Sequence, residues 1–147
     1  MGLRGDDPRV EAVEREVAML LRRARVISVD IARAVHPGLD PAVFGLLSRL
    51  ADSGGERAAD VAVHFGLDKS TVSRQVAVLL ELGLVAREPL PGDARAARLV
   101  LTPEGAERLS RARAGRLARF RALLGAWDDA DVEQLAASLH RLNAAWE

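Results

Sequence analysis

The chain has 147 residues, of which 49% are hydrophobic, enough apolar material for one folded domain with additional helices for association. The absence of cysteine excludes a disulfide framework, a thiol switch and a cysteine-ligated metal site. The 21 basic and 21 acidic side chains cancel, so the overall charge does not by itself indicate a nucleic-acid partner. No segment approaches the roughly 20 apolar residues of a membrane span, and no secretory signal is visible, so we expect a cytoplasmic protein without a membrane partner.

Two helices are predicted in the first third of the chain. Asp7 can cap a helix with Pro8 at its first position, and apolar residues then recur at helical spacing. This long amphipathic helix should end near Pro37. The pair Asp40-Pro41 repeats the start signal and opens a second helix that runs through Leu50.

The middle of the chain predicts two short helices joined by a tight turn. Residues 58–65 form the first helix, residues 66–68 form the turn, and residues 69–82 form the second helix, whose apolar side chains share one face. Gly83 should end the second helix. This order is typical of a helix-turn-helix.

A β-hairpin is predicted directly after it. Residues 84–88 and 97–101 are apolar stretches on either side of Pro91-Gly92-Asp93, so they should pair as strands. Two more helices follow, capped by Thr102 and Asp128. The predicted fold class is therefore mainly α with a small β-hairpin wing, a winged helix-turn-helix with helices on both sides.

The sequence has no recognisable catalytic or metal-binding constellation. Its histidines His36, His64 and His140 are far apart, and none has a second ligand-type residue at the helical spacing of a zinc site. There is no glycine-rich phosphate loop and no nucleophile elbow. We therefore expect no enzyme activity, no cofactor and no metal.

The second helix of the pair has two different faces. Its inner face is aliphatic, whereas hydrogen-bonding and basic side chains crowd its first two turns. These side chains are Lys69, Ser70, Thr71, Ser73, Arg74 and Gln75. Such residues suit a helix whose N-terminal turns enter the DNA major groove. The alternative is a solvated helix start with ordinary capping residues.

Residues 57–105 resemble the winged helix-turn-helix of the MarR (multiple antibiotic resistance regulator) family. The resemblance rests on the helix-turn-helix, on the D-x-R pattern Asp93-Ala94-Arg95 in the wing, and on the closing L-T-x-x-G pattern of residues 101–105. The flanking helices are similar too. One departure is Ala94, where many members have a second arginine in the wing.

The resemblance implies a homodimeric regulator, usually a repressor, that binds double-stranded DNA and responds to a small-molecule effector. By position it implies that the recognition helix contacts DNA and that Arg95 is the wing contact. The implied contacts of the helix are Ser70, Thr71, Ser73, Arg74 and Gln75. We expect Asp93 to turn inward and hold either Arg95 or Arg87. Arg98 remains open between a phosphate contact and a solvated strand face.

The resemblance also implies an organisation into three segments and an effector cleft. Residues 1–38 would form an N-terminal dimerisation helix, residues 39–102 the DNA-binding lobe and residues 103–147 the C-terminal dimerisation helices. An effector in the family enters between the dimerisation helices and the lobe. The corresponding residues here are Arg25, His36, Phe44 and Arg116.

Two other function classes stay open on the sequence. A winged helix can serve as a protein–protein interaction module without DNA binding, which the neutral charge allows and the arginine at the wing tip argues against. A small enzyme is the third possibility. The arginines between residues 108 and 121 are expected to form salt bridges with the acidic terminal segments rather than to contact DNA.

Overall fold

The structure, a computed structural model, describes residues 7–145, apart from the side chains of Ala94 and Arg95. Within that range it consists of six helices and one two-stranded hairpin, which confirms the predicted fold class. The elements are α1 (Pro8–Val35), α2 (Pro41–Ser53), α3 (Ala58–Phe65), α4 (Lys69–Glu81), β1 (Val85–Leu90), β2 (Asp93–Leu101), α5 (Pro103–Leu124) and α6 (Asp129–Ala144). Trp146, an apolar position expected on the last helix, lies outside the described residues.

The first two helices begin where the sequence predicts. The carboxylate of Asp7 accepts a hydrogen bond from the backbone N–H of Arg9 at 2.9 Å, and that of Asp40 accepts one from Ala42 at 2.8 Å. Helix α2 continues beyond Leu50 as far as Ser53. The extension ends at Gly54, whose φ of 73° is in the left-handed region that glycine adopts easily.

The helix-turn-helix has the predicted order. Helix α3 ends at Gly66, whose φ is 62°, and the N–H of Leu67 closes the turn on the carbonyl of Ala62 at 3.0 Å. Helix α4 then starts at Lys69. A left-handed glycine at this turn lets the chain reverse within three residues.

The hairpin is longer than the sequence predicts. Both strands extend toward the turn, so that Pro89 pairs with Ala97 and Leu90 pairs with Asp93. The register shifts between Pro89 and Leu90, an irregularity that accommodates a residue without an N–H. Gly92, with a φ of 85°, occupies the turn.

The chain divides into two compact units, residues 1–112 and residues 113–147. The buried core of the first unit is aliphatic and is built mainly from α2, α3, α4 and the base of the hairpin. Its fully buried large side chains are Leu46, Leu47, Leu50, Val61, Val72, Leu79 and Leu84. Ala32 and Val35 of α1, with Leu109 and Ala112 of α5, extend the same cluster.

One latch connects the base of the hairpin to the start of α5. The Thr102 hydroxyl donates to the Gly83 carbonyl at 2.7 Å and accepts from the N–H of Gly105 at 3.0 Å. The N–H of Thr102 donates to the carbonyl of Leu84 at 3.1 Å. A β-carbon on Gly105 would lie 2.0 Å from the same Leu84 oxygen, so only glycine fits here. This explains the threonine and the glycine of the L-T-x-x-G pattern.

A second latch connects the hairpin to the segment after α2. Glu56 and Leu99 exchange backbone hydrogen bonds of 3.1 and 2.7 Å, which adds a single residue to the edge of the sheet. The Glu56 carboxylate is also ion-paired with Arg49 of α2, with an Nε–Oε2 distance of 3.2 Å. The wing base is therefore connected to α2 as well as to α5.

The second unit contains the end of α5 and the whole of α6. None of the described residues of α6 is buried. Four large apolar side chains of this unit are each about half exposed or more, namely Leu117, Phe120, Leu123 and Trp127.

Candidate nucleic-acid interface

The first two turns of α4 present the side chains that the sequence predicts for DNA contact. Lys69, Ser70, Ser73 and Arg74 are exposed and lie on one face, opposite the buried aliphatic face. Thr71 and Gln75 are half-buried, and both lie at the edge of the exposed face. The helix thus combines a packed side with a polar side of the kind that reads a major groove.

Asp68 organises the start of this helix. Its carboxylate accepts hydrogen bonds from the hydroxyl of Ser70, from the N–H of Thr71 at 2.9 Å and from the hydroxyl of Thr71 at 2.7 Å. These hydrogen bonds, the Ser70 hydroxyl first among them, hold the pKa of Asp68 well below its ordinary value. The carboxylate is therefore ionised and fully engaged.

Arg74 is connected to the same network. Its Nη2 lies 3.3 Å from the hydroxyl oxygen of Thr71 and donates to it. Two hydroxyls of the recognition helix, those of Ser70 and Thr71, are thus donors to Asp68, which leaves their oxygens as acceptors. From the sequence, Asp68 is predicted only as part of the turn, although an aspartate directly before a helix is a capping signal.

An open cleft of about 150 Å³ lies between the N-terminal ends of α3 and α4. Ala58 and Ala59 line it on α3, and Lys69, Val72 and Ser73 line it on α4. Lys69 and Ser73 are both exposed at this edge of the helix-turn-helix.

The wing carries the remaining predicted contacts. Asp93 begins β2 and is exposed, whereas the side chain of Arg95 lies outside the described part of the chain. Arg98 crosses the hairpin and pairs with Glu88, with an Nη2–Oε2 distance of 3.0 Å. Arg98 therefore forms a cross-strand ion pair on the face of the wing, an arrangement that the two alternatives from the sequence did not include.

The arginines of α5 pair differently from the prediction. Arg108 pairs with Glu104 and donates to the carbonyl of Val35 at 3.2 Å, and Arg111 pairs with Glu107 at 2.9 Å. The expected partners in the acidic terminal segments are wrong for these two residues. The reason is local, because an acid four residues earlier on the same helix is already within reach.

The residues expected near an effector have different environments. Arg25 of α1 is exposed, and Phe44 of α2 is half-buried against the core. His36 caps α1, and its Nδ1 accepts from the N–H of Gly38 at 3.2 Å. Arg116 is exposed on the part of α5 that belongs to the second unit.

Across the described residues, no helix is long and apolar enough to cross a membrane. Among residues 7–145 there is likewise no group of three or more histidine and acidic side chains placed to hold a metal ion.

A helix-turn-helix with an exposed polar recognition helix, followed by a hairpin pinned at its base, defines a winged-helix DNA-binding protein. Comparison with known proteins identifies its family. The family model that matches residues 38–96 is that of the MarR family. The HTH-type transcriptional regulator YxaD of Bacillus subtilis is 31% identical over 137 residues, which cover 93% of this chain and 94% of YxaD. The chain belongs to the MarR family of transcriptional regulators.

Solved structures show the same fold. RV1404 of Mycobacterium tuberculosis superposes with a TM-score of 0.80 at 21% identity, over 99% of this chain and 97% of that protein. A MarR transcriptional regulator from Methanosarcina mazei superposes with a TM-score of 0.71 at 22% identity, over 92% and 96% of the two chains. The family and the relative YxaD are transcriptional regulators, so the expectation that the chain is not an enzyme is confirmed.

Proposed function

We propose that this regulator is a homodimer that binds a pseudo-palindromic operator and acts as a repressor, from which a small-molecule effector releases it. The observation that carries the proposal is the exposed polar face at the start of α4, next to a wing that is held firmly at its base. In this proposal Lys69, Ser70, Thr71, Ser73, Arg74 and Gln75 contact the major groove. Asp93, Arg95 and Arg98 belong to the wing contact.

Exposed apolar side chains on the terminal helices support the proposed dimer. On α1, a set of large aliphatic side chains between Val10 and Val26 is at least 40% exposed, and α5 and the segment after it show the same feature. Large apolar side chains that recur exposed along a helix are typical of an association face. We therefore assign residues 1–38 and 103–147 to dimerisation and residues 39–102 to DNA binding.

The symmetry of a dimer sets the form of the operator. Two recognition helices related by a two-fold axis enter successive major grooves, so half-site centres should lie about 10 bp apart. The wing then reaches the flanking minor groove, where a narrow groove concentrates negative potential and favours a guanidinium such as that of Arg95.

The effector part of the proposal rests on the family. Arg25, His36, Phe44 and Arg116 are the positions at which we expect a small aromatic or anionic ligand. We place the protein in the cytoplasm, where its DNA partner is.

Selection of DNA from a random pool by the purified protein tests this function. We expect a pseudo-palindrome, and we expect log K to fall with log salt by about 0.9 for each phosphate neutralised. Selection of a single asymmetric half-site would contradict the dimeric arrangement. Failure to enrich any sequence, with a flat salt response, would instead favour a protein–protein interaction module.

Light scattering tests the dimer separately. At micromolar concentration it should report about twice 15.8 kDa. A well-folded monomer under these conditions would contradict both the dimer and the two-half-site operator.

A further inference from the structure

Three residues at the start of α4 form a hydrogen-bonded chain with a fixed direction. Arg74 donates from Nη2 to the hydroxyl of Thr71 at 3.3 Å, and the Thr71 hydroxyl donates to Oδ2 of Asp68 at 2.7 Å. A guanidinium can only donate and a carboxylate can only accept. The single hydroxyl hydrogen of Thr71 must therefore point to Asp68, which turns the oxygen lone pairs toward Arg74.

The two carboxylate oxygens of Asp68 have separate partners. Oδ1 accepts from the backbone N–H of Thr71 at 2.9 Å and from the Ser70 hydroxyl, which is the capping interaction of the helix. Oδ2 accepts a hydrogen bond from the hydroxyl of Thr71. Capping of the helix requires only Oδ1. The hydrogen bond at Oδ2 therefore has a different consequence, because it orients the hydroxyl of Thr71.

We propose that Asp68 and Thr71 are positioning residues that set the base preference of this regulator by holding the side chain of Arg74. The proposal rests on the proposed function, because it requires Arg74 to read a base. An exposed arginine has many rotamers, and fixing it before DNA binds reduces the freedom lost on binding. Only one of the five guanidinium N–H groups is used by Thr71, so enough remain for a bidentate contact with the O6 and N7 atoms of guanine.

The prediction is specific about mechanism. Asp68 and Thr71 should affect the preference for the base read by Arg74, which we expect to be guanine, and not the affinity for DNA in general. A purely structural role at the helix start would weaken binding to all sequences alike. In this proposal the contact that Thr71 makes in the groove reads no base, whereas a base-reading contact of Thr71 would affect base preference even when Arg74 is absent.

The experiment measures the relative affinity for operators that differ at each base pair, for the full-length protein. Thr71→Val keeps the branched shape and removes the hydroxyl, and Thr71→Ser retains the hydroxyl. We expect Thr71→Val to lower the preference for the Arg74-dependent base at least about fivefold, and Thr71→Ser to stay within about twofold of the parent. In an Arg74→Ala background, Thr71→Val should have no further effect on preference.

Asp68→Asn separates capping from orientation. Asparagine caps helices about as well as aspartate, but its NH₂ group cannot accept the Thr71 hydroxyl hydrogen. We expect this variant to stay folded, with a lower melting temperature because it loses the ionised carboxylate, and to lose base preference as Thr71→Val does. Asp40→Asn is the matched control, since Asp40 caps α2 through Ala42 and should leave base preference unchanged.

Several outcomes would overturn the proposal. One is an equal loss of affinity for all operators in Thr71→Val, and another is additivity of Thr71→Val with Arg74→Ala. Unchanged base preference in Arg74→Ala would also overturn it, although the protein would still be a DNA-binding regulator. If the parent protein selects no DNA sequence at all, the proposed function fails first and this inference fails with it.

Discussion

The winged lobe and the terminal helices differ in how they cover their apolar residues. Within residues 39–102, most of the large aliphatic side chains of α2, α4 and the hairpin base are buried against one another. On α1 and on the second unit, many side chains of the same kind are half exposed, and none of the described residues of α6 is buried. The lobe completes its core within one chain, whereas the terminal helices carry surface that suits a second chain.

This difference suggests a division of labour. The lobe must hold the recognition helix and the wing in a fixed relation. The hydrogen bonds of Thr102 and Glu56 to backbone groups of neighbouring segments do so. In the proposed dimer, the terminal helices would set the distance between two lobes. Substitutions in the two regions should therefore have different consequences, the first on folding and the second on association.

The largest effect is expected at Gly105, inside the lobe. Gly105→Ala places a methyl group 2.0 Å from the carbonyl oxygen of Leu84, a backbone atom that cannot move without shifting the hairpin. We expect a loss of about 3 kcal/mol or more in the free energy of unfolding, measured by urea denaturation.

Gly45→Ala is the matched control, because a β-carbon on this residue of α2 would meet no atom within 4 Å. Alanine is the better helix former, so this variant should gain roughly 0.5–1 kcal/mol. Equal stability of the two variants would show that the Leu84 contact does not constrain the lobe.

The second effect is expected on association. Leu20→Glu introduces a charge at an α1 side chain that is 53% exposed in the single chain and that we assign to the dimer interface. We expect the dimer dissociation constant to rise at least about 30-fold, or about 2 kcal/mol, in sedimentation equilibrium. Val63→Glu, at a side chain of α3 that is 82% exposed, should leave association unchanged. If the dimers of both variants are weakened equally, the assignment of association to the terminal helices and not to the lobe is wrong.

The sequence predicts those features that depend on neighbouring residues. Helix starts at Asp7 and Asp40 follow from aspartate-proline pairs, and the turn at Gly66 follows from a glycine that can adopt a positive φ. The polar face of α4 follows from helical spacing. These signals are local, so they are visible without knowledge of the tertiary structure.

Contacts between distant segments are not visible in the same way. The pairing of Glu56 with Leu99 involves one residue, which leaves no alternating pattern in the sequence. The hairpin is longer than predicted because Pro89, which usually ends a strand, lies next to a register shift. Partners of long side chains are also ambiguous, as Arg98 and Arg108 illustrate, since several acids lie within reach in the sequence.

The third effect concerns DNA binding alone. Arg95→Ala removes the guanidinium that we place in the minor groove, and a hairpin tip contributes little packing. Operator affinity should fall at least tenfold, about 1.4 kcal/mol, while dimerisation and thermal stability stay nearly unchanged. Asp93→Asn should have the same effect more weakly. Titration of labelled operator DNA checks both, and an Arg95→Ala protein that binds as tightly as the parent would contradict a DNA contact at the wing.

The smallest effects distinguish two ion pairs of the lobe. The Glu56 side chain is 14% exposed beside Arg49, whereas Glu88 and Arg98 are 49% and 43% exposed on the wing. Glu56→Gln leaves a partly buried guanidinium without its carboxylate and should cost roughly 1–2 kcal/mol of stability.

Glu88→Gln should change stability by less than about 0.5 kcal/mol, because an exposed pair is screened by solvent. It should nevertheless raise operator affinity about two- to threefold at low salt, since it removes a negative charge from a wing that approaches a polyanion and releases the guanidinium of Arg98. The gain should disappear at high salt, where such interactions are screened. Urea denaturation and operator titration at two salt concentrations measure the two quantities. The contradicting result would be that Glu88→Gln destabilises the lobe as much as Glu56→Gln and leaves operator affinity unchanged. The exposed face of the wing would then contribute to folding, and our assignment of folding to the wing base and of DNA binding to the exposed face would be wrong.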